Sequence, residues 1–203
     1  DIGPLPEVVN PDRKAACERN FQLFCESYFP ETYALAWSPD HLKVIEKIET
    51  AVLRGGLFAL ALPRGSGKTT ITESAALWSM LYGHREFVVL IGATESAALE
   101  LLDSLKTELE VNERLAEDFP EVCYPVAQLE GIANRCAGQL YKGERTRITW
   151  TSNEIVLPTV EGSRASGIIV RVAGITGRIR GMKFKRSDGR NVRPSLVVID
   201  DPQ

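Results

Sequence analysis

The apolar positions of the chain change period several times, and each change marks the start or end of an element. Cys17, Phe21, Phe24 and Tyr28 fall on one helical stripe, which predicts a helix over Ala15 to Tyr28 between the breaks at Pro11 and Pro30. A second start signal follows, with Ser38 as N-cap, Pro39 in the first helical position and Asp40 at the positive end of the helix dipole. Leu42, Ile45, Ile48 and Val52 form its apolar face, and Gly55-Gly56 ends it. At Leu57 the helical period stops. Leu57-Phe58-Ala59-Leu60-Ala61-Leu62 is apolar throughout and predicts a strand buried on both faces. A glycine-rich turn comes next, then a helix reaching about Tyr82 and closed by Gly83. Phe87 to Ile91 repeats the buried-strand pattern, and Thr94 to Glu110 is again helical. Strand, helix, strand, helix predicts a parallel sheet with helical crossovers.

The second half is shorter-grained. Asn112 to Gly138 predicts one or two helices interrupted near Pro120 and Pro125. Arg147–Trp150 and Glu154–Leu157 flank Thr151-Ser152-Asn153 as a hairpin, and Ile168–Ala173 is another strand. Lys183 to Arg193 is a polar, basic excursion turning at Asp188-Gly189. The last strand, Leu196 to Ile199, runs into Asp200-Asp201-Pro202-Gln203. The expected fold is therefore α/β, a mostly parallel sheet flanked by helices, with a small β-hairpin. Residues 1–55 form a helical lead and 56–203 the core.

Composition narrows the class without naming an activity. Of 203 residues, 44% are hydrophobic and 25% charged, which excludes a disordered chain and a coiled-coil rod. No apolar run approaches the ~20 residues that span a bilayer, and Asp1-Ile2-Gly3-Pro4 lacks the basic and apolar parts of a signal peptide. A soluble intracellular protein without a membrane partner is expected. Cys17, Cys25, Cys123 and Cys136 make no Cys-x-x-Cys pair, and with only His41 and His84 they read as free thiols rather than zinc ligands. The net charge of −3 conceals a split. Arg164 to Arg193 holds nine basic residues against Asp188 alone, so the remainder is strongly acidic. One face is expected to meet a polyanion.

The chemical signal is Pro63-Arg64-Gly65-Ser66-Gly67-Lys68-Thr69-Thr70, between an apolar run and a helix. In that setting the N–H groups of the turn and of the helix start hold phosphate oxygens. Lys68 would reach the β- and γ-phosphates, and the Thr69 hydroxyl would complete a magnesium shell. The full Walker A pattern wants glycine where this chain has Leu62. An apolar strand ending in an acid supplies the second half of such a site: Asp200 would orient Mg2+, as a Walker B acid does, and Asp201 would polarise the attacking water. The alternative is that Asp201-Pro202 is a polar turn. Arg64 lies inside the loop, and Arg178 and Arg180 sit between Gly177 and Gly181, either as charge-stabilising arginines or as solvated ones. Lys183, Lys185, Arg186 and Arg190 either contact a nucleic-acid backbone or decorate a solvated hairpin.

Taken together, Ser38-Pro39-Asp40-His41, the Pro63 to Thr70 loop, Ile91-Gly92-Ala93-Thr94, Arg180-Gly181 and Arg193 to Asp201 resemble the ATPase half of the large terminase subunit of tailed bacteriophages. The resemblance begins near residue 35 and includes the 132-residue gap between Lys68 and Asp200. It implies a P-loop NTPase of the ASCE type that hydrolyses ATP with Mg2+ to drive double-stranded DNA into a prohead. It implies catalytic roles for Lys68, Arg64, Arg180 and Asp201, with Arg180 acting across a subunit interface. It places adenine contacts near Trp37 to His41. The implied partners are DNA, a portal protein, a small terminase subunit and further copies in a ring, all in the host cytoplasm. The resemblance also implies a later strand between the loop strand and the acid strand, followed by a nuclease domain, so the sheet of this chain is expected to be incomplete. Two other readings stay open: a helicase-like DNA translocase, and a nucleotide-binding piece without turnover of its own.

Overall fold

The computed structural model describes residues 1–59, 62–177, 179 and 181–200. At its centre is β1 (Phe87–Gly92), every residue of which is buried. It pairs in parallel on one side with β6 (Ile169–Gly174) and on the other with β9 (Leu196–Asp200). Beyond β6 the order continues through β5 (Glu154–Val156) to β4 (Thr149–Trp150), both pairings antiparallel. The result is a mixed α/β fold whose five-stranded sheet has a parallel core and an antiparallel wing. The hairpin expected around Thr151-Ser152-Asn153 is present as β4–β5; the expectation of a mostly parallel sheet is corrected because that hairpin joins β6 antiparallel, the link over residues 157–168 forming no crossover helix. Two isolated hairpins complete the strands: β2 (Leu140–Tyr141) with β3 (Glu144–Arg145), and β7 (Phe184–Lys185) with β8 (Asn191–Val192).

Most helices lie where period and caps put them. α3 (Pro39–Arg54) starts at Ser38, whose hydroxyl accepts the His41 N–H, and stops at Gly55. Arg85 donates to the Val52 and Ala51 carbonyls at 2.8 and 3.3 Å, placing a cation on the negative end of that helix. α4 (Lys68–Leu81) is buried along most of its length, and α5 (Glu95–Val111) is capped by Thr94. The segment after Asn112 divides into α6 (Glu113–Asp118) and α7 (Pro120–Ala127), with a 3-10 turn over Ala133–Gly138.

Two expectations fail. The helix foreseen over Ala15–Tyr28 is two helices, α1 (Pro11–Cys17) and α2 (Phe21–Tyr28). Asn20 explains the break, because its side chain accepts the Leu23 N–H and caps a new helix. The apolar run Leu57 to Leu62 is not a buried strand in its described residues: Leu57, Phe58, Ala59 and Leu62 carry no ladder, and Leu57 is 99% exposed. An apolar run becomes a buried strand only when neighbours take its N–H and C=O groups, and no described strand lies beside this one. Leu60 and Ala61 fall outside the described residues. β9 shows the matching feature on the sheet: Val197 and Ile199 are exposed, while Leu196 and Val198 pack on the core.

The N-terminal helices share one core with α4, α5 and the inner sheet face, built on Phe21, Phe24, Tyr28, Trp78 and Phe119. A buried acid ties them down. Asp118 is fully buried and accepts from Arg13 Nε at 2.6 Å, the Tyr28 hydroxyl at 2.7 Å and the Asn10 N–H at 3.0 Å. Burial pushes its carboxyl up, but the bonds from Arg13, Tyr28 and Asn10 outweigh that and hold it below the ordinary carboxylate range. The stability it confers is therefore present at neutral pH and lost as pH falls below about 4, the unfolded value. Arg13 keeps Glu117 at 2.7 Å, but the Tyr28 hydroxyl and the Asn10 N–H lose their acceptor, so Asp118→Ala is expected to cost about 1–3 kcal/mol for each orphaned donor in urea unfolding at pH 7. The gap between variant and wild type should narrow in acid.

Candidate functional site

The loop from Pro63 enters α4 through two glycines in the left-handed region, Gly65 at φ 77° and Gly67 at φ 75°, ψ 24°. Side chains at these positions would be strained by the backbone angle itself, since open space surrounds both. Ser66 closes the turn between them, its N–H and hydroxyl both donating to the Pro63 carbonyl, at 3.3 and 2.6 Å. α4 begins immediately afterwards at Lys68 with no side-chain cap and no acid in its first turn. An uncapped 14-residue helix entered through such a turn offers N–H donors and a positive dipole end to an anion.

The second part of the site arrives on β9. Parallel pairing sets Asp200 opposite Gly92 at the carboxyl end of β1. From there the Asp200 carboxylate accepts a hydrogen bond from the Thr69 hydroxyl at 2.8 Å, across 131 residues of sequence. The predicted metal pair, Thr69 and Asp200, is thus brought together. Pro63, Arg64, Gly65 and Gly67 are exposed, and Ser66, Lys68 and Thr70 are half-buried along the same stretch. Arg178, Arg180 and Asp201 lie outside the described residues.

Glu73 belongs to this neighbourhood and sequence reasoning missed it. It sits one helical turn beyond Thr69, half-buried, and accepts from the Ser104 hydroxyl of α5 at 3.0 Å. Burial pushes its carboxyl above the ordinary range; the Ser104 bond opposes this, and the negative charges of Asp200 and Glu108 add to it. The spacing of four from Thr69 was available as a signal.

Behind the loop stand residues of the N-terminal region. The Ser74 hydroxyl donates to the Thr70 carbonyl at 3.0 Å, which leaves the Tyr33 hydroxyl to donate to Ser74 at 2.7 Å. His41, in the first turn of α3, reaches the Ser66 carbonyl with Nε2 at 2.9 Å. A separate open depression of about 650 Å³ between α5 and the β4–β5 turn is lined by Glu100, Asp103, Lys106 and Trp150 and includes none of the loop residues.

The basic stretch is partly neutralised from within. Glu86 receives both Arg186 at 2.7 Å and Arg190 at 2.8 Å, Arg171 pairs with Glu154, and Arg164 pairs with Glu18. Lys183, Lys185 and Arg193 are exposed. Among the described residues no helix is long and apolar enough to cross a membrane, and no cluster of three or more His, Cys, Asp or Glu could hold a metal ion. Comparison with known proteins gives no matching family model, no matching curated protein and no matching solved structure.

Because the folded state holds the Glu73 proton more tightly than the unfolded chain, its ionised form weakens the fold at neutral pH. Glu73→Gln keeps an acceptor for Ser104 and is expected to melt at a higher temperature than wild type at pH 7. The gain should disappear as pH falls to about 4, where the wild-type side chain is protonated as well. Thermal melts of both proteins across that range check the sign.

Proposed function

We propose that this chain is the ATP-hydrolysing motor domain of a phage-type large terminase subunit, a P-loop NTPase of the ASCE type acting on double-stranded DNA with Mg2+. The observation that carries the reading is the 2.8 Å contact between Thr69 and Asp200. It joins the first turn of a helix entered through a glycine loop to the acidic tip of a parallel strand, the two halves such a site needs. The donor set suits the group: a hydroxyl and a carboxylate are hard oxygen ligands for Mg2+, and an uncapped helix start suits phosphate. When bound, Mg2+ neutralises charge on the β- and γ-phosphates.

The roles of the chain's own residues follow from chemistry and position. Backbone N–H groups from Gly65 to Thr70 cradle the phosphates, and Lys68 sets a mobile positive charge against the terminal ones. Thr69 and Asp200 hold the metal, with their mutual hydrogen bond keeping both side chains at the strand tip before it arrives. Arg64 extends from an exposed position in the loop, from which it can meet charge developing on the leaving oxygen. Asp201 is the proposed base that polarises water, and Arg180 the proposed second arginine, supplied to a neighbouring copy in a ring. DNA, portal protein and small terminase subunit are the proposed partners, in a host cytoplasm.

A second reading draws on one observation. The loop is entered from Leu57 to Ala59, which are unpaired and, at Leu57, almost fully exposed. A loop entered from described residues that make no ladder supports nucleotide binding better than the rigid geometry of turnover, so a binding piece without independent hydrolysis is the alternative.

Isothermal titration of Mg·ATP together with phosphate-release assays, with and without double-stranded DNA, separates the two. Lys68→Ala is expected to weaken binding about 10- to 100-fold, the range for losing hydrogen bonds to a charged group. Asp200→Asn and Asp201→Asn should bind and not turn over. Binding without turnover in wild type selects the second reading, and absence of binding removes both.

A further inference from the structure

We propose that His41 is a positioning residue that fixes the orientation of the Ser66–Gly67 peptide in the phosphate loop. The proposal rests on the reading of that loop as a nucleotide site. His41 makes two side-chain contacts in line. Nδ1 lies 2.8 Å from the Ser38 hydroxyl, and Nε2 lies 2.9 Å from the Ser66 carbonyl oxygen. The carbonyl only accepts, so Nε2 carries the ring proton. Nδ1 then accepts from Ser38, whose oxygen in turn accepts the His41 backbone N–H at 3.2 Å. Both ring nitrogens have a partner, and the helix cap is satisfied with them.

The ring is also held from behind. Trp37 meets it edge-on at 6.1 Å, Tyr33 stacks at a tilt on Trp37 at 4.9 Å, and the Trp37 indole donates to Glu26 of α2 at 2.7 Å. His41 therefore reaches the loop as the end of a chain of contacts anchored in the helical lead.

The consequence lies in the peptide it grips. A trans peptide points its C=O and N–H in opposite directions, so drawing the Ser66 oxygen toward α3 turns the Gly67 N–H away from α3. Glycine follows at position 67, in the left-handed region. A peptide that precedes glycine flips at little steric cost, because glycine tolerates either sign of φ. Gly67 is what permits the loop its shape, and it is also what would let that shape reverse. The His41 bond selects one orientation and so presents the Gly67 N–H as a preformed donor.

The experiment uses the full chain with Mg·ATP and, separately, magnesium tripolyphosphate, which has no base. His41→Ala is expected to weaken binding of both probes by the same factor, about 3- to 10-fold, as for one lost hydrogen bond. His41→Gln should recover most of this, because its amide can donate to the Ser66 carbonyl. The imidazole 15N spectrum of the nucleotide-free wild type should show His41 protonated on Nε2, assigned by its loss in His41→Gln, since His84 is the only other histidine. Equal binding by wild type and His41→Ala overturns the proposal and leaves the phosphate-loop reading intact. A loss confined to ATP overturns it in favour of a base contact. Protonation on Nδ1 alone overturns it whether or not the variants fold. If wild type binds neither probe, the phosphate-loop reading fails and the proposal falls with it.

Discussion

The parallel pairing of β1 with both β6 and β9 is the constraint from which the rest of the molecule follows. Parallel strands carry their carboxyl ends to one edge of the sheet, and here that edge collects Gly92, Gly174 and Asp200 in register. Register matters more than pairing. A slip of one residue along β9 would turn Leu196 and Val198 out of the core and move Asp200 to the opposite face, away from Thr69. Ser195 guards against this at the other end of the strand. Its N–H donates to the Phe87 carbonyl, and its hydroxyl accepts the N–H groups of Glu86 and Phe87 at 3.1 and 3.2 Å. A serine at the start of β9 thus helps decide where an aspartate at its end will lie.

The helical lead supports the candidate site through packing. Asp118, Arg13 and Tyr28 clamp α1 and α2 against α6, burying a charge that their bonds and the Asn10 N–H make tolerable. From that clamped base the chain passes through Tyr33 and Trp37 to His41, touching α4 at Ser74 and the loop at Ser66. The Pro63 to Thr70 loop meets the sheet through Asp200 and an aromatic bracket through His41. Its two glycines lend it conformational freedom, and these neighbours are what restrict it.

Much of this was legible because it is local. Caps and periods gave α3, α4, β1 and α5 within a residue or two, and the glycine spacing together with an acid closing an apolar run pointed to Thr69 and Asp200 before any geometry was known. What escaped depends on partners. Nothing in Leu57 to Leu62 says whether another strand will lie beside it, and composition alone reads an apolar run as buried whether or not a neighbour takes its backbone groups. The capping signal of Asn20 is masked in the sequence because the apolar stripe of α1 and α2 continues across the break. The hairpin of β2 and β3 is two residues per strand, too short to have a period at all. The spacing of four from Thr69 places Glu73 near the loop, but the state of its carboxyl is set by burial and by Ser104 and Asp200, 31 and 127 positions away.

Charge offers the clearest case of sequence overstating structure. Nine basic residues between 164 and 193 suggest a free polycation, yet four of them are paired with carboxylates, and Glu86 alone binds two. Glu86 stands immediately before β1, so Arg186 and Arg190 spend their charge fastening the β7–β8 hairpin to the strand on which the whole sheet is built. Among the described residues of this stretch, the side chains outside these pairs are the exposed Lys183, Lys185 and Arg193. A polyanion approaching this face would meet a small basic patch on a hairpin whose position is set by the sheet. β1, which pairs with the strand carrying Asp200 to the loop, therefore also determines where that patch points.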